Sequence, residues 1–236
     1  MNATSRGFDR LARWYRTLEV LAFGGDLEQA RFRYLERLSD RSDILLLGEG
    51  DGRCACRLAR AAPRARILCV DSSPAMVETA ARRVAEAGAS DRVSFLCADA
   101  VEYQPEPGRH DAVATLFFLD CFDAATAGAI VARVSAALRP GALWLFADFV
   151  LPEGRLARIR ARAWVGVLYA FFRWETGLSV AKLPPSEELL RGEGWERLEC
   201  TDLQWGLLRS ALLARGAAAP TEARLASASP GTTASQ

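Results

Sequence analysis

Glycines alternate with acidic residues directly after the apolar run 44–47. The residues concerned are Gly48, Glu49, Gly50, Asp51 and Gly52. Glycine has no Cβ, so the backbone at these positions can come close to a ligand. Residues 54–62 are predicted to follow as a helix, whose first N–H groups are free to bind that ligand. A strand, a glycine loop and a helix in this order indicate a nucleotide-binding turn.

The spacing of the glycines separates this turn from the best-known nucleotide sites. A dinucleotide-binding turn follows the pattern G-x-G-x-x-G, and Arg53 occupies the position of its third glycine. The pattern present here is G-x-G-x-G. The glycine-rich turn of some other α/β protein is the alternative interpretation of this segment alone.

Five apolar runs are predicted to be strands, and helices or loops connect them. The strands are 44–48, 66–70, 92–97, 111–116 and 142–148. Ser72-Ser73-Pro74 supplies a hydroxyl cap and a first-turn proline for the helix after strand two, and residues 123–138 are predicted to form the helix after strand four. Five such units predict an α/β fold with a Rossmann-like, doubly wound and mostly parallel sheet.

Helical spacing of apolar residues before the first strand predicts a helical extension over residues 1–40. One helix contains Phe8, Leu11, Ala12, Tyr15 and Leu18, and the second, capped by Asp26, contains Leu27, Ala30, Tyr34, Leu35 and Leu38. Residues 41–214 are expected to form the main domain, closed by a hairpin of strands 196–201 and 206–213. An aromatic, arginine-rich insertion at 153–185 follows strand five, and residues 215–236 read as a disordered tail.

Two acidic residues follow strands two and three. Asp71 ends strand two, about twenty residues beyond the last glycine, where a carboxylate can accept both hydroxyls of a ribose. Asp99 lies just past strand three. With the G-x-G-x-G turn, the turn at 138–142 and the closing hairpin, the span 8–213 resembles the class I S-adenosylmethionine (SAM) dependent methyltransferases. The nearest type is that of quinone and small-molecule methyltransferases, with Phe8-Asp9-Arg10-Leu11-Ala12 in place of their Tyr-Asp-x-x-Ala.

The resemblance implies SAM as the cofactor and S-adenosylhomocysteine (SAH) as its product. It implies that Asp99 meets the adenine amino group and that N-terminal residues cover the methionine end. The family usually has an acid where this chain has Leu46, so Glu49 or Asp51 is expected to hold the methionine amino group. The expected cofactor-binding residues are Gly48, Glu49, Gly50, Asp51, Asp71, Ser72, Met76, Asp99, Ala100, Thr115, Leu116, Phe117, Tyr15 and Arg16.

Candidate catalytic residues are chosen by their position, because ligands of such sheets bind at the carboxyl ends of the strands. Asp120 and Asp148 follow strands four and five and can orient or deprotonate a methyl acceptor. Asp120 can equally be a helix cap, and Asp148 a supporting hydrogen-bond partner. His110, the only histidine, precedes strand four at the opposite end and is expected to be structural. A base is unnecessary for an acceptor that is already a phenolate, thiolate or free amine.

The acceptor is expected to be a small, apolar aromatic or lipid-like molecule. Aromatic residues occupy the end of strand four and the segment 153–175, which is interpreted as a lid, as an interfacial helix against a membrane or as an ordinary packed helix. The formal charge of +1 argues against a nucleic-acid partner. The six cysteines show no C-x-x-C, which predicts free buried thiols, no metal site and a reducing, cytoplasmic location.

Two other functions remain as alternatives at this point. One is a SAM-fold protein that binds a ligand or partner without turnover. The other is a short-chain dehydrogenase, which needs a Tyr-x-x-x-Lys pair, and no tyrosine precedes Lys182 at that spacing.

Overall fold

Seven strands form one sheet in the residues that the computed structural model describes, which are 24–152, 154 and 183–215. They are β1 (Asp43–Leu47), β2 (Arg66–Asp71), β3 (Val93–Cys97), β4 (Ala112–Leu116), β5 (Leu143–Phe149), β6 (Trp195–Leu203) and β7 (Leu208–Arg215). Their order is β3-β2-β1-β4-β5-β7-β6. The first five strands are parallel, and β7 is antiparallel to both of its neighbours. The predicted fold class is confirmed.

The central strands lie level with one another at their carboxyl ends. Leu47 of β1 pairs with Val70 of β2 on one side and with Thr115 of β4 on the other. Every residue of β1 and of β4 is buried, as expected for parallel strands that are covered on both faces. The loops after β1, β2 and β4 therefore emerge side by side at one edge of the sheet.

Five α-helices cover the sheet or extend from its edges in the described part of the chain. They are α1 (Asp26–Phe32), α2 (Arg53–Ala61), α3 (Pro74–Glu86), α4 (Ala124–Ala137) and α5 (Ser186–Gly192). Two of them start with side-chain caps, because Ser73 Oγ accepts from Met76 N–H at 3.3 Å and Asp123 accepts from Thr126 N–H at 2.9 Å. The cap predicted at Ser72-Ser73-Pro74 is confirmed. Asp120 does not cap α4, because Asp123 does.

The second predicted helix differs from the expectation in two ways. Its N-cap is Gly25, and the carboxylate of Asp26 accepts a hydrogen bond from the side chain of Gln204, so the expected Asp26 cap was wrong. The helix also stops after Phe32, and a 3₁₀ helix, Leu35–Leu38, replaces its second half. The apolar face was predicted correctly. Its five members are buried: Leu27, Ala30, Tyr34, Leu35 and Leu38.

Helix α1 is fixed against the carboxyl-terminal edge of the sheet. Leu27 and Ala30 share a buried apolar cluster with Phe149, Leu207 and Leu208, which lie at the end of β5 and the start of β7. The interaction between Asp26 and Gln204 joins the same two elements by hydrogen bonding. Side chains on the exposed side of this contact are thereby held near the ends of the strands.

The thiols are less uniformly buried than the sequence predicted. Cys54, Cys56 and Cys69 are buried, whereas Cys97 and Cys200 are exposed and Cys121 is half-buried. All six are free. The exposure of Cys97 and Cys200 follows from their place on β3 and β6, the two edge strands of the sheet.

Some predictions concern residues outside the described ranges. These are the helix at residues 8–18, the segment 153–175 apart from Gly154, and the tail from 216 onward. Within the described ranges, no helix is both long enough and apolar enough to span a bilayer.

Candidate active site

Three glycines of the loop after β1 adopt left-handed backbone conformations, but their surroundings differ. A Cβ on Gly48 would lie 2.2 Å from a ring carbon of Phe118, and one on Gly52 would lie 2.7 Å from the Cα of Ala80 in α3. These two glycines are needed for packing within the protein. A Cβ on Gly50, where φ is +68°, would meet no described protein atom within 4 Å. The side of the loop that a ligand can approach is therefore the side of Gly50.

Asp71, the last residue of β2, holds the glycine loop in place. Its Oδ2 accepts a hydrogen bond from Gly50 N–H at 3.0 Å, and its Oδ1 accepts from Ser73 N–H at 2.9 Å. A carboxylate oxygen has a lone pair left for a second donor. The group that fixes the loop can thus also accept the hydroxyl groups of a ribose placed beside Gly50.

The loop after β3 lies next to the loop after β2. Ala98 N–H donates to the carbonyl oxygen of Asp71 at 3.0 Å. Asp99 follows, half-buried, with its Oδ1 accepting from Val101 N–H at 2.9 Å. Three other predicted cofactor residues lie at this end of the sheet, namely the exposed Ser72, the half-buried Met76 and the buried Ala100. The structure thus brings together the residues predicted for the nucleoside.

The two acids of the glycine loop have different surroundings. Asp51 pairs with Arg83 at 2.7 Å and with Arg53 at 3.0 Å. Burial opposes ionisation of Asp51, but these ion pairs outweigh it and lower the pKa of Asp51. Glu49 accepts a hydrogen bond at Oε1 from Ala55 N–H at 3.0 Å, whereas its Oε2 is buried without a hydrogen-bond partner among the described residues. Burial raises the pKa of Glu49 to about 8.

These surroundings distinguish the two acids that were considered for the methionine amino group. The carboxylate of Asp51 is already neutralised by two arginines. The carboxyl group of Glu49 has an unused acceptor atom and lacks a comparable ion pair in the part of the chain that is described. Glu49 is therefore the loop acid that can accept a hydrogen bond from a cationic group of a ligand.

Asp120 and Asp148 meet at the carboxyl ends of β4 and β5. Asp120 lies in the 3₁₀ turn Leu119–Cys121, Asp148 is the penultimate residue of β5, and their side chains hydrogen-bond to each other. Asp148 also accepts from Phe149 N–H at 3.0 Å and from the hydroxyl of Ser186 at 3.1 Å. Both acids are buried, at 8% and 0% relative exposure.

Two carboxyl groups in contact repel each other when both are ionised, so protonation of one of them stabilises the pair. Burial raises the pKa of Asp120 to about 6. Burial and the adjacent Asp120 together raise the pKa of Asp148 well above its usual value. Such a pair can accept the proton of a hydroxyl group bound beside it. The sequence predicted each residue separately, and the structure adds their direct contact.

Four phenylalanines lie in the turn after β4 or at the end of β5, the elements that carry the acid pair. Phe117 and Phe149 pack edge to face with ring centroids 5.3 Å apart, and Phe118 and Phe122 do so at 5.1 Å. Phe117 has a φ of +56°, a left-handed conformation that is costly for a bulky residue. Its N–H donates to the carbonyl of Ala147 at 2.7 Å, which stabilises the conformation. Strain of this kind is found preferentially at functional sites.

Arg31 of α1 belongs to the site although the sequence analysis did not identify it. The central guanidinium carbon of Arg31 lies 5.5 Å from the centroid of the Phe117 ring. The sequence signal was present, because Arg31 follows Leu27 by four residues and so lies beside the buried stripe of α1. Arg16 was predicted for such a role, and it lies outside the described residues together with Tyr15.

Three further residues serve the structure of the domain. Thr115 is buried, and its hydroxyl accepts a hydrogen bond from Trp144 Nε1 at 2.8 Å, so the side chain predicted to bind cofactor is engaged within the core. Leu116 is also buried in the core. His110 is buried at the amino-terminal end, as the sequence predicted, and burial lowers its pKa.

Residues 44–141 match a family model described as a methyltransferase domain. That segment covers β1 to the turn before β5, and so includes the glycine loop, Asp71, Asp99 and Asp120. No curated protein matches the chain in sequence.

Solved structures of methyltransferases are similar in fold. The S-adenosylmethionine-dependent methyltransferase SibL has a TM-score of 0.65 and 22% identity over 86% of this chain and 57% of its own. The mitomycin 7-O-methyltransferase MmcR has a TM-score of 0.62 and 20% identity, over 89% of this chain and 60% of its own. An O-methyltransferase family 2 protein from Planctomyces limnophilus DSM 3776, in complex with apigenin, has a TM-score of 0.62 and 19% identity, over 87% of this chain and 62% of its own. The chain therefore spans 57–62% of the length of these three proteins.

Proposed function

We propose that this chain, whose residues 44–141 match a methyltransferase domain, is a class I, SAM-dependent enzyme that methylates a hydroxyl group of a small, largely apolar acceptor. The match to a methyltransferase domain agrees with the resemblance predicted from the sequence, which implies SAM as the cofactor. The observation that carries the proposal for the acceptor is the buried pair of Asp120 and Asp148, which meet at the carboxyl ends of adjacent strands and whose pKa values are both raised.

The loop residues fit this cofactor. Gly50 leaves room for it, Asp71 can accept hydrogen bonds from its ribose, and Asp99 can accept one from its adenine amino group. The unused Oε2 of Glu49 suits the ammonium group of the methionine moiety. When bound, SAM supplies an electrophilic methyl group on a sulfonium. The protein's contribution is then to place an acceptor oxygen in line with that methyl group and to exclude water.

The acid pair can accept the proton that the acceptor hydroxyl loses. A hydroxyl that hydrogen-bonds to Asp120 transfers its proton to the carboxylate as the oxygen gains the methyl group. Asp148 holds Asp120 in place, and it is held in turn by Phe149 N–H and by the Ser186 hydroxyl. Because the pKa of Asp120 is about 6, it remains able to accept a proton at neutral pH. A neutral phenol or enol is therefore the preferred acceptor class.

The surroundings of the pair favour an apolar aromatic acceptor. The rings of Phe117, Phe118, Phe122 and Phe149 lie around the same edge of the sheet and can pack against an aromatic ring. Mitomycin 7-O-methyltransferase and the apigenin-bound protein carry small-molecule names that agree with this chemistry. The prediction that the segment 153–175 covers the acceptor as a lid stays part of the proposal, with a membrane contact or an ordinary packed helix as its alternatives.

The test separates cofactor binding from turnover. SAH binding is measured by calorimetry, and SAH release from SAM is then measured with a panel of phenols and enols, each paired with its O-methylated analogue. We expect SAH to bind and at least one free hydroxyl compound to be turned over, while its methylated analogue is not.

Each failure has a separate meaning. SAH binding without turnover of the panel or of a cell extract would favour a non-catalytic SAM-binding protein. Turnover of an amine or thiol in preference to every hydroxyl would contradict the role given to the acid pair. Failure of SAH to bind would contradict the cofactor site itself.

A further inference from the structure

Arg31 stands where the two halves of the site meet. Glu49 follows β1 by two residues and Phe117 follows β4 directly. β1 and β4 are neighbours in register, so their ends are about 5 Å apart. The guanidinium of Arg31 lies over the Phe117 ring, which places it at the carboxyl end of β4, the strand that is followed by the turn with Asp120 and paired with the strand that leads to Glu49.

We propose that Arg31 is a positioning residue that serves two acids at once, Glu49 at the cofactor end and Asp120 at the acceptor end. This inference rests on the proposed function, since it assigns those two acids to the two substrates. The charge of Arg31 acts on both of them, and it is the cation common to both. A positive charge favours the ionised form of each acid against the effect of burial.

The support of Arg31 is rigid enough for such a role. Its neighbour Ala30 is fully buried in the cluster that holds α1 against β5 and β7. The Nε atom of Arg31 is itself buried. Arg31 as a whole is half-buried, so its charge on this docked helix is only partly screened by solvent.

Several other groups act on the two acids and contribute to their titration. Glu49 faces Asp51 of its own loop and Asp71 of β2, and it interacts with the thiols of Cys54, Cys56 and Cys69. Asp120 faces Asp148 and Cys121. All of these are acids or thiols, so the charge of Arg31 is opposed to each of them when they ionise.

The chain offers a matched control for Arg31. Arg57 of α2 also places its guanidinium over a phenylalanine, with 4.1 Å between its central carbon and the ring centroid of Phe32. Its carboxylate partner is Glu28, which lies on the exposed part of α1. Removing the charge of Arg57 takes away the same kind of contact without touching Glu49 or Asp120.

The test follows the pH dependence of SAH binding in four proteins: wild type, Arg31→Gln, Arg31→Lys and Arg57→Gln. Because the ionised form of Glu49 is the one that binds an ammonium group, wild-type affinity is expected to rise with pH and level off near the pKa of Glu49, about 8. In Arg31→Gln the levelling moves to higher pH by about 0.5 unit or more, and affinity at pH 7 falls by about threefold or more. Arg31→Lys is expected to restore most of the affinity at pH 7 and to reverse most of the shift in the pH at which affinity levels off. Arg57→Gln is expected to match wild type in both.

Asp120 is followed separately by infrared spectroscopy, through the carbonyl band of its protonated carboxyl group, assigned with Asp120→Asn. The midpoint of that band is expected to move to higher pH in Arg31→Gln and to stay constant in Arg57→Gln. Arg31→Met also removes the charge. If either Arg31→Gln or Arg31→Met fails to fold, the other can still be measured.

The two hypotheses fail in distinguishable ways. If SAH does not bind the wild type, the proposed function fails and the infrared titration still tests Arg31. If SAH binds but neither titration moves in the charge-removal variants, the role of Arg31 is wrong and the proposed function stands. If only one titration moves, Arg31 does not serve both acids and the inference is overturned.

Discussion

The pKa of a buried acid is shifted in opposite directions at the two edges of the sheet, that is, at the amino-terminal and carboxyl-terminal ends of its parallel strands, when Asp43 is compared with Glu49, Asp120 and Asp148. At the amino-terminal edge, Asp43 accepts hydrogen bonds from Arg66 Nε at 2.9 Å and from Arg139 Nη2 at 3.3 Å. Burial opposes its ionisation, yet the two arginines lower the pKa of Asp43. Asp111 beside it accepts from the N–H of Ser42 at 2.8 Å. Asp43 is therefore stabilised in its charged form.

At the carboxyl-terminal edge, buried acids have fewer hydrogen-bond donors and cations to offset their charge. Asp148 is fully buried and faces another acid, Asp120, with a hydroxyl and a backbone N–H as its other partners. Glu49 keeps an oxygen without a partner among the described residues. Their pKa values are raised, because burial disfavours the charge.

The difference agrees with a structural role for the acids at the amino-terminal edge and with the proposed chemical role of those at the carboxyl-terminal edge. An acid that is fully paired contributes to the folded state and has little reason to exchange its proton. An acid whose burial outweighs the effect of nearby cations is costly to ionise, and a shifted pKa of this kind is typical of acids that take part in reactions. Matched substitutions at the two edges can therefore test whether their acids differ in role.

The largest effect is expected for Asp120→Asn. An amide cannot accept the hydroxyl proton, so kcat for a phenolic acceptor should fall by about 100-fold or more, with SAH affinity changed by less than about twofold. Asp123→Asn is the near control, since asparagine also caps helices, and it should keep wild-type kcat. Steady-state kinetics and calorimetry on the folded variants measure these effects. Full activity of Asp120→Asn would remove the distinction between the two edges.

The next effect is expected at the glycines. Gly50 and Gly141 have similar left-handed backbones, with φ of +68° and +76°, and a Cβ added at either position would meet open space. Gly141 lies before β5, at the amino-terminal edge. Valine strains the backbone at both positions, but only at residue 50 does it enter the space assigned to the cofactor. Gly50→Val should weaken SAM binding at least about tenfold, and Gly141→Val should leave it unchanged at equal thermal destabilisation. Equal affinities in the two variants would place the cofactor elsewhere.

A smaller and graded effect is expected within the nucleoside site. Asp71→Ala removes the acceptor of Gly50 N–H as well as that of the ribose, so SAM affinity should fall at least about tenfold. Asp99→Asn keeps an oxygen that accepts one hydrogen bond, and the loss should be about two- to fivefold. Calorimetric titration of both variants decides the order. A larger loss in Asp99→Asn would mean that the nucleoside is wrongly oriented.

The fold was predictable because its signals are local. Buried parallel strands give continuous apolar runs such as 44–47, and Ser73 followed by Pro74 starts a helix whatever lies around it. The positions of Asp71 and Asp99 followed from the same rule, since each comes directly after a strand. Asp120 and Asp148 were found for the same reason.

The remaining features depend on contacts between distant parts of the chain. Asp26 has the chemistry of a cap, but Gln204 engages its carboxylate across the closing hairpin. Thr115 follows the pattern of a ligand contact, and only the placement of Trp144 shows that its hydroxyl is engaged. The preference for Glu49 over Asp51 in the proposed site depends on Arg83, which lies on a different helix and pairs with Asp51. Sequence spacing carries no information on these pairings.

The smallest effect is expected in stability, and it should have opposite signs at the two edges. The folded pKa of Asp148 is raised, so its contribution to stability is present below its unfolded pKa, near 4, and is lost as pH rises through the folded value. Asp148→Asn removes that loss, and its melting temperature relative to wild type should increase between pH 4 and pH 8. The folded pKa of Asp43 is lowered, so its contribution is present above pH 4 and is lost as pH falls through the folded value. Asp43→Asn should therefore be less stable than wild type at pH 7, and the deficit should shrink in acid.

The expected differences are a few degrees, at about 2–4 °C for each kcal/mol in a domain of this size. Arg66 and Arg139 are well exposed, and solvent screening keeps the Asp43 effect at the lower end. Each variant is compared with wild type at the same pH, which cancels the contribution of the buried His110, whose lowered pKa also makes the protein less stable in acid. Thermal melts followed by circular dichroism at pH 4, 5, 6, 7 and 8 give both difference curves. Parallel curves of the same sign would show that the two edges do not differ in how they hold their acids, whereas diverging curves would show that Asp148 is kept at a cost in stability at neutral pH.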